Sequence, residues 1–136
     1  MPRQLECGTS FAELIREGPR VRVTVGGGRR PGSVSCDALV DTGANRCFID
    51  ISIVRQLGLR LVDVAQASSV LSQGPAGIYL ATIRIDGLGH SRKSTAGCAD
   101  LVGAGWSFRV IVGRDVLAAL NLDYDGPSGR VKLTLP

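Results

Sequence analysis

The chain has 136 residues, of which 44% are hydrophobic and only 4% aromatic, and its formal net charge is +4. This length suits one domain and is sufficient to bury a core, built here mainly from Val, Leu, Ile and Ala. No apolar run approaches the 18 residues of a membrane-spanning helix, and the first residues lack the apolar segment of a signal peptide, so we expect no membrane span in this chain.

The first predicted element is a short helix at residues 9–17, which a capping-box pattern starting at Ser10 indicates. Polar and apolar residues alternate from 20 to 25, which is the pattern of a half-buried strand. A glycine-rich turn follows, and the next predicted strand, residues 33–40, leads directly to Asp41.

The middle of the chain combines strands with one more short helix. Asp50 or Ser52 can cap a helix over residues 53–57. Residues 68–85 form a second predicted hairpin, and its centre, residues 73–77, is rich in turn formers. The remaining predicted elements are strands at 47–49, 59–64, 107–112 and 131–135, a loop or turn over the polar, glycine-rich residues 86–96, a helix at 114–120 and a turn at 123–129.

The stretch Ala38–Ala44 has a chemical use, because an apolar run delivers an acid, a hydroxyl and a glycine in that order. The run predicts a buried strand, which is a rigid support ending at Asp41. Thr42 can hold the turn through its hydroxyl, and Gly43 permits backbone angles that other residues resist. Asp-Thr-Gly is also an ordinary turn sequence, so this motif alone leaves a purely structural role open.

Two motifs together resemble the retropepsin-like aspartic protease family. The tetrapeptide Asp41–Ala44, preceded by an apolar strand, resembles the catalytic loop of that family. The segment Val110–Leu117, in which Gly113, Arg114 and Asp115 follow an apolar strand and begin a helix, resembles its second signature. The motifs lie about seventy residues apart, and a glycine-rich hairpin occurs between them, where the family has its flap.

The resemblance covers about residues 20–135 and implies an all-β fold. The expected architecture is a closed, retropepsin-like barrel with a flap hairpin and one or two short helices. The protease domain is then expected at residues 20–136, with residues 1–19 as an N-terminal extension. The likeness is to single-domain cellular or bacterial members of the family rather than to viral ones.

The implied activity is that of an aspartic endopeptidase, which hydrolyses peptide bonds through an activated water. This chemistry needs two carboxylates that share one proton, so that one is a base toward water and the other an acid toward the carbonyl. Among nine aspartates, only Asp41 has the Asp-Thr/Ser-Gly context. The resemblance therefore implies a homodimer, in which a two-fold axis supplies the second Asp41. We expect a peptide or protein substrate, no cofactor and no metal.

The resemblance also assigns roles to the residues of the catalytic loop and of the hairpin. Thr42 is expected to bond across the dimer axis and Gly43 to contact the substrate backbone, in a loop that continues to Ala44. Asn45 can hydrogen-bond the backbone of a peptide, and residues 131–135 are expected to pair with their twin between subunits. The residues expected to close over the substrate are Gly74, Pro75, Ala76 and Gly77.

The loop departs from the viral pattern just after the catalytic tetrapeptide. Asn45 stands where viral members carry an acid, and Arg46 follows it, so Arg114 lacks its usual partner and can pair elsewhere. This departure motivates an alternative function, a catalytically weak or inactive module for dimerisation or peptide binding. A third class, a basic barrel that binds nucleic acid, rests on net charge alone. The positive charges are dispersed without an aromatic platform, so we expect no nucleic-acid partner.

Structural roles are favoured for the other reactive side chains. The four cysteines have no Cys-x-x-Cys spacing, which argues against zinc and favours reduced, buried thiols in a cytoplasmic protein. Cys47 lacks the histidine partner of a thiol nucleophile, and Asp115 suits the first turn of a helix rather than catalysis. His90 is expected to be solvated, and Trp106 is expected in the core or at an interface.

Overall fold

The computed structural model describes residues 3–8, 10–69 and 72–136, except for the side chains of residues 66–69 and 72–75. In chain order the elements are β1 (Arg3–Glu6), α1 (Phe11–Glu17), β2 (Arg20–Gly26), β3 (Val34–Val40), β4 (Phe48–Asp50), α2 (Ile51–Leu57), β5 (Arg60–Ser69), β6 (Ser72–Ile85), β7 (His90–Ala99), β8 (Val110–Val112), α3 (Arg114–Leu117), β9 (Asn121–Asp125) and β10 (Arg130–Leu135).

Six strands close into a barrel. Their order is β2-β3-β8-β4-β7-β6, and β6 pairs back with β2, where Val25 faces Ile83. Strand β5 extends the sheet beyond β6, and the other strands form a separate sheet in the order β1-β10-β9. The predicted all-β class, a closed retropepsin-like barrel with a few short helices, is therefore confirmed.

Alternation along the strands builds the core of the barrel. In β2, Val21, Val23 and Val25 are buried while Arg22 between them is exposed, because successive residues of a strand point to opposite faces. This confirms the half-buried strand predicted for residues 20–25. Other buried members of the same core are Cys36, Ala38, Val40, Ala81, Ile83, Ile85, Val110 and Val112.

The first two helices are capped by residues that the sequence indicates. In α1, the Ser10 hydroxyl accepts a hydrogen bond from the N–H of Glu13 at 3.1 Å, as the capping pattern predicts. In α2, the Asp50 carboxylate accepts from the N–H of Ser52 at 3.0 Å, and the helix ends at Gly58 in the left-handed region, with φ 59°. Over residues 3–8, 10–69 and 72–136, every helix is too short or too polar to cross a bilayer.

The second hairpin exists, but the turn predicted at residues 73–77 is wrong. Strands β5 and β6 pair as far as Ser69 and Ser72, and the two residues between these lie outside the described part of the chain. Residues 73–77 therefore belong to β6. This stretch pairs with β5 on one side and lies beyond the last pair of β6 with β7, which is Ile78 with Gly97. Such one-sided pairing is the setting in which a strand tolerates a proline such as Pro75.

Residues 86–96 are only partly the loop or turn that composition predicts. A turn does follow β6 at residues 86–89, but residues 90–99 form strand β7. The strand pairs with β6 on one side and with β4 on the other. These pairings outweigh the polar, glycine-rich composition, because strand formation depends on neighbouring strands more than on intrinsic preference.

Near the C-terminus the predicted boundaries shift. The strand predicted at 107–112 is regular only over Val110–Val112, and α3 ends at Leu117 rather than at residue 120. The helix is short because the chain enters β9 at Asn121, which pairs with Thr134 of β10. Strand β9 also occupies the start of the turn predicted at residues 123–129. Hydrophobic periodicity indicates neither β9 nor β1.

Strand β10 confirms the predicted last strand, but it lies in the middle of its sheet. Leu133 pairs with Leu5 of β1 on one edge and with Leu122 of β9 on the other. The predicted pairing of residues 131–135 with a second copy is wrong for this arrangement, because both edges of β10 are filled within the chain. The predicted division between residues 1–19 and 20–136 stays a prediction, and β1 and β10 pair across it.

Replacing Ile83 by Ala tests the closure of the barrel. Ile83 is fully buried and faces Val25 of β2 and Arg92 of β7. The cavity is expected to lower the free energy of unfolding in urea by about 2–5 kcal/mol. The control Ser91→Ala changes an exposed position of β7 and is expected to alter that free energy by less than about 0.5 kcal/mol. Equal losses in the two variants contradict the described core.

Candidate active site

Asp41 lies at the first position after β3, where the ends of two strands meet. Its N–H donates to the carbonyl of Val112, the last residue of β8, at 3.0 Å. Its half-buried side chain accepts a hydrogen bond at Oδ1 from the N–H of Gly43, at 2.8 Å. The Oδ2 atom accepts no hydrogen bond from the described residues. The backbone and one oxygen of Asp41 are thus fixed, while the other oxygen is available.

The turn after Asp41 is held differently from our prediction. The carboxylate of Asp41 holds it, whereas the hydroxyl of Thr42, predicted to do so, has no hydrogen bond within the described residues. Gly43 does not have a positive φ, so the unusual backbone angles that a glycine permits are not used here. A Cβ on Gly43 would lie 3.1 Å from Asp41 Oδ1, which indicates that the glycine permits a close approach to the carboxylate.

The second motif packs directly beneath this loop. Strands β3 and β8 are parallel, with Val40 opposite Val112, so the residues after both strands emerge side by side. The N–H of Arg114 donates to the carbonyl of Ala44 at 2.8 Å. A Cβ on Gly113 would lie 2.9 Å from the same carbonyl oxygen and closer still to the carbonyl of Arg46. Only a glycine allows these two backbone segments to touch.

The sequence did not identify the partner of the Arg114 side chain, and the structure does. Its Nη1 donates to the carbonyl oxygen of Thr42 at 2.7 Å. The guanidinium therefore holds the active-site loop through the backbone of Thr42, whichever side chain stands at position 45. Asn45 is exposed and Arg46 half-buried, and neither side chain has a hydrogen bond or ion pair within the described residues.

Asp115 supports the loop from below. Its Oδ1 accepts from the Cys47 thiol at 3.2 Å and from the N–H of Val116 at 2.9 Å, while its Oδ2 accepts from the Ser94 hydroxyl at 2.7 Å and from the N–H of Cys47 at 3.4 Å. This carboxylate joins β7, the start of β4 and α3. It agrees with our prediction that Asp115 begins a helix, and it adds a supporting role that the sequence did not indicate.

Cys47 is a structural thiol. It is fully buried, and this burial raises the pKa of its thiol to about 12, with its neighbour Asp115 adding to the effect. Its sulfur also accepts from the N–H of Gly113 at 3.4 Å. Because the reactive form of cysteine is the thiolate, this residue is unsuited to nucleophilic catalysis, in line with the packing role that we predicted.

The hairpin candidates have no hydrogen bond to the catalytic loop in the described part of the chain. Within β6, Gly74 and Pro75 face Ala67 and Gln66 of β5, and Ala76 and Gly77 are the next positions of the same arm. The described residues show no hydrogen bond between this arm and the loop 41–45. The structure therefore joins the Asp41 loop with Gly113–Asp115, whereas the role of the hairpin arm stays a prediction.

A second apolar cluster beside the loop is one feature that the predicted site omits. Its buried members are Ala99, Leu101, Phe108 and Ile111, and the partly buried Leu39, Ala44 and Phe48 pack against it. The signal was available at Leu39, which lies between the core residues Ala38 and Val40 and so must face the opposite side of β3.

The structure also shows the surroundings of His90 and Trp106. His90 is half-buried, and its Nε2 is enclosed without a hydrogen-bond partner in the described part of the chain, so the prediction of a solvated side chain is wrong. Trp106 is 46% exposed and stacks on Phe108, with ring centroids 5.3 Å apart. The described residues contain no group of three or more His, Cys, Asp or Glu suited to a metal ion.

Replacing Gly113 by Ala tests the contact between the two motifs. The added methyl group has no room against the backbone of residues 44–46, so we expect a loss of about 1–3 kcal/mol in the free energy of unfolding, measured in urea. Gly26→Ala is the matched control, because its Cβ would have 3.9 Å to its nearest neighbours and its φ is not positive. A Gly113 variant as stable as the control contradicts the described contact.

Comparisons with known proteins agree with this geometry. A family model described as aspartyl protease matches residues 21–91, just over half of the chain, including the Asp41 loop. No curated protein sequence matches the chain. Among solved structures, the chain is similar to a retropepsin-like aspartic protease from Rickettsia conorii, with 15% sequence identity and a TM-score of 0.64 over 98% of this chain and 92% of that one.

The fold is also similar to the foamy viral protease-reverse transcriptase, solved in complex with an RNA/DNA hybrid. Sequence identity is 14% and the TM-score is 0.52, over 73% of this chain and 11% of that one. At such identities the structural likeness establishes the fold, while the sequence match establishes the family. The protein therefore belongs to the aspartyl protease family and has a retropepsin-like fold.

Proposed function

We propose that the protein is an aspartic endopeptidase, active as a homodimer in which Asp41 of each copy contributes to one catalytic dyad. The observation that supports it most is the carboxylate of Asp41. It is half-buried at the end of β3, accepts one hydrogen bond from Gly43, and has one oxygen without a partner in the described residues. Membership of the aspartyl protease family supports the same chemistry.

Among the described residues, a single copy offers one such carboxylate. Asp115, which lies under the loop, accepts four hydrogen bonds, and Asp50 at the end of β4 accepts three. Because the reaction requires two carboxylates that share one proton, the second must come from another chain, and a two-fold axis places the same residue opposite itself. The exposed Thr42 lies next to Asp41 and is proposed to bond across this axis.

The dyad hydrolyses a peptide bond by exchanging protons with the water molecule and the substrate. The ionised carboxylate takes a proton from a water molecule while the water oxygen attacks the carbonyl carbon, and the protonated carboxyl donates to the carbonyl oxygen. The carboxyl that took the water proton then donates it to the amide nitrogen, and a hydroxyl of the tetrahedral intermediate returns a proton to the other carboxylate. The C–N bond breaks, and an acid and an amine leave. The proposal includes no cofactor and no metal, and it expects the best activity at mildly acidic pH.

The proposed substrate is a peptide in extended conformation, bound by strand addition. Gly43 and Asn45 are exposed on the loop and are proposed to contact the peptide backbone. Residues 72–77 of β6 pair with β5 alone among the described strands, so one edge of Gly74–Gly77 is open to a further strand. This open edge supports the proposal that the hairpin closes over the substrate.

The proposal places catalysis in residues 20–136 and treats residues 1–19 as an N-terminal extension. It also includes a cytoplasmic location. The four cysteines are free, three of them buried and Cys98 half-buried, and this supports a reducing compartment, where disulfides are rare. No nucleic-acid partner is proposed.

A catalytically weak or inactive dimer that binds peptides is the second candidate. Asn45 and Arg46 favour it, because neither side chain is held by a described hydrogen bond or ion pair beside the candidate dyad. Such a module binds extended peptides and leaves them intact, even at acidic pH.

Replacing Asp41 by Asn separates the two candidates. The amide still accepts the N–H of Gly43 but cannot act as a base, so we expect kcat for cleavage of a peptide library to fall by at least about 10³-fold while the dimer persists. Asp125→Asn, which neutralises an exposed carboxylate on β9, is the control and is expected to retain activity. Cleavage that survives in the Asp41 variant contradicts the proposal, and an inactive wild-type dimer that binds peptides favours the second candidate.

A further inference from the structure

The 101–109 loop, which together with Asp100 connects β7 to β8, packs beside the candidate catalytic loop. Its residues Leu101 and Phe108 are each 1% exposed and belong to the second apolar cluster. Leu39 and Ala44, which flank the candidate catalytic residue in sequence, pack against that cluster. A displacement of the loop would therefore disturb the packing of residues that precede and follow Asp41 in the chain.

Asp50 attaches both ends of this loop to β4. Its Oδ1 accepts a hydrogen bond from the N–H of Val102 at 3.0 Å, and its own N–H donates to the carbonyl of Arg109 at 2.8 Å. Its Oδ2 accepts from the N–H and the hydroxyl of Ser52, and that hydroxyl accepts from Nη2 of Arg109 at 2.9 Å. Capping of α2 uses only one of the two carboxylate oxygens, and the other oxygen accepts the hydrogen bond from the loop.

The side chain of Asp50 is well suited to this attachment. The residue is only 1% exposed and forms no ion pair within the described residues. Burial by itself raises the pKa of its carboxyl, but the hydrogen bonds from Ser52 and Val102 outweigh burial, and the pKa lies below its ordinary value of 3.8. The carboxylate thus stays ionised at the mildly acidic pH at which an aspartic dyad works, and hydrogen bonds to a charged group are the stronger ones.

The loop has few other attachments to the barrel. Nη2 of Arg20 donates to the Ser107 hydroxyl at 3.1 Å, and its guanidinium lies 4.8 Å from the ring centre of Phe108. The N–H of Arg109 donates to the carbonyl of Asp37 in β3 at 3.1 Å, and the remaining polar contacts of the loop that the structure describes lie within its own turn, such as the N–H of Trp106 with the carbonyl of Leu101 at 3.1 Å. Asp50 is therefore the principal tie between the loop and β4.

We infer that Asp50 is a positioning residue of the proposed protease: by tying both ends of the 101–109 loop to β4, it fixes the loop beside Asp41, whose exposed apolar side chains Val102 and Trp106 are available to substrate side chains. The inference rests on the proposed function. Asp50 does not touch the substrate. It acts through the position of the loop, so its loss is expected to weaken substrate binding more than the chemical step.

Trp106 is the only tryptophan of the chain and lies in the loop, so its fluorescence reports the position of the loop without any substrate. In Asp50→Asn, the side chain has one acceptor oxygen instead of two, so it cannot accept from both Val102 and Ser52, and the tie weakens. We expect a red-shifted Trp106 emission, stronger quenching by acrylamide, and a KM for a cleaved peptide raised about tenfold with kcat within about twofold of wild type.

Two further variants make the test specific. Ser52→Ala removes the hydroxyl link to Arg109 but keeps the bond from Val102. It is expected to change the emission and KM in the same direction by smaller amounts. It therefore also provides the test if Asp50→Asn fails to fold. Asp125→Asn removes the same charge at an exposed site of β9 and is expected to match wild type in emission and KM.

The outcomes separate this inference from the proposed function. If wild type cleaves peptide and KM is unchanged in the Asp50 and Ser52 variants, the positioning role is wrong and the protease assignment stands, even where the variants lower the melting temperature. If wild type cleaves no peptide, the proposed function fails and the positioning role fails with it, whatever Trp106 shows.

Discussion

The candidate site depends on the parallel pairing of β3 with β8. Three residue pairs, the last being Val40 with Val112, end the two strands at the same level. The hydrogen bond from the N–H of Asp41 to the carbonyl of Val112 continues that ladder by one step. Parallel neighbours cannot be joined by a tight turn, so the chain runs through β4 to β7 before β8 returns. The strands between β3 and β8 in sequence thus allow the two short loops that follow β3 and β8 to lie side by side.

Three aspartates around this junction differ in how well their carboxylates are satisfied. Asp115 accepts four hydrogen bonds and Asp50 accepts three, and both join segments that are distant in sequence. Asp41 accepts one, from Gly43. Polar groups that are withdrawn from water are normally paired, whereas the second oxygen of Asp41 is not among the enclosed, unpaired atoms of the described residues, so this carboxylate is open to a further partner. In our account, a water and the second copy of Asp41 complete it.

The sequence predicted the features that depend on near neighbours. The cap of α1 involves residues three apart, the inner face of β2 follows a period of two, and the strand before Asp41 follows from one apolar run. Family resemblance added the barrel and the second motif. What could not be predicted depends on contacts between distant residues. β7 is a strand because of its neighbours, Asp115 meets Cys47 across 68 positions, and Asp50 meets Val102 across 52. No local pattern encodes such contacts.

The central claim is that one active site uses a carboxylate from each of two chains. Equal amounts of wild-type and Asp41→Asn chains, exchanged to equilibrium, test it most directly. If only the pair of wild-type chains is active, the mixture retains about one quarter of the activity of the same total amount of wild type, because random pairing gives about that share of wild-type pairs. If each chain carries a complete site, about half of the activity remains, and that result would contradict the account.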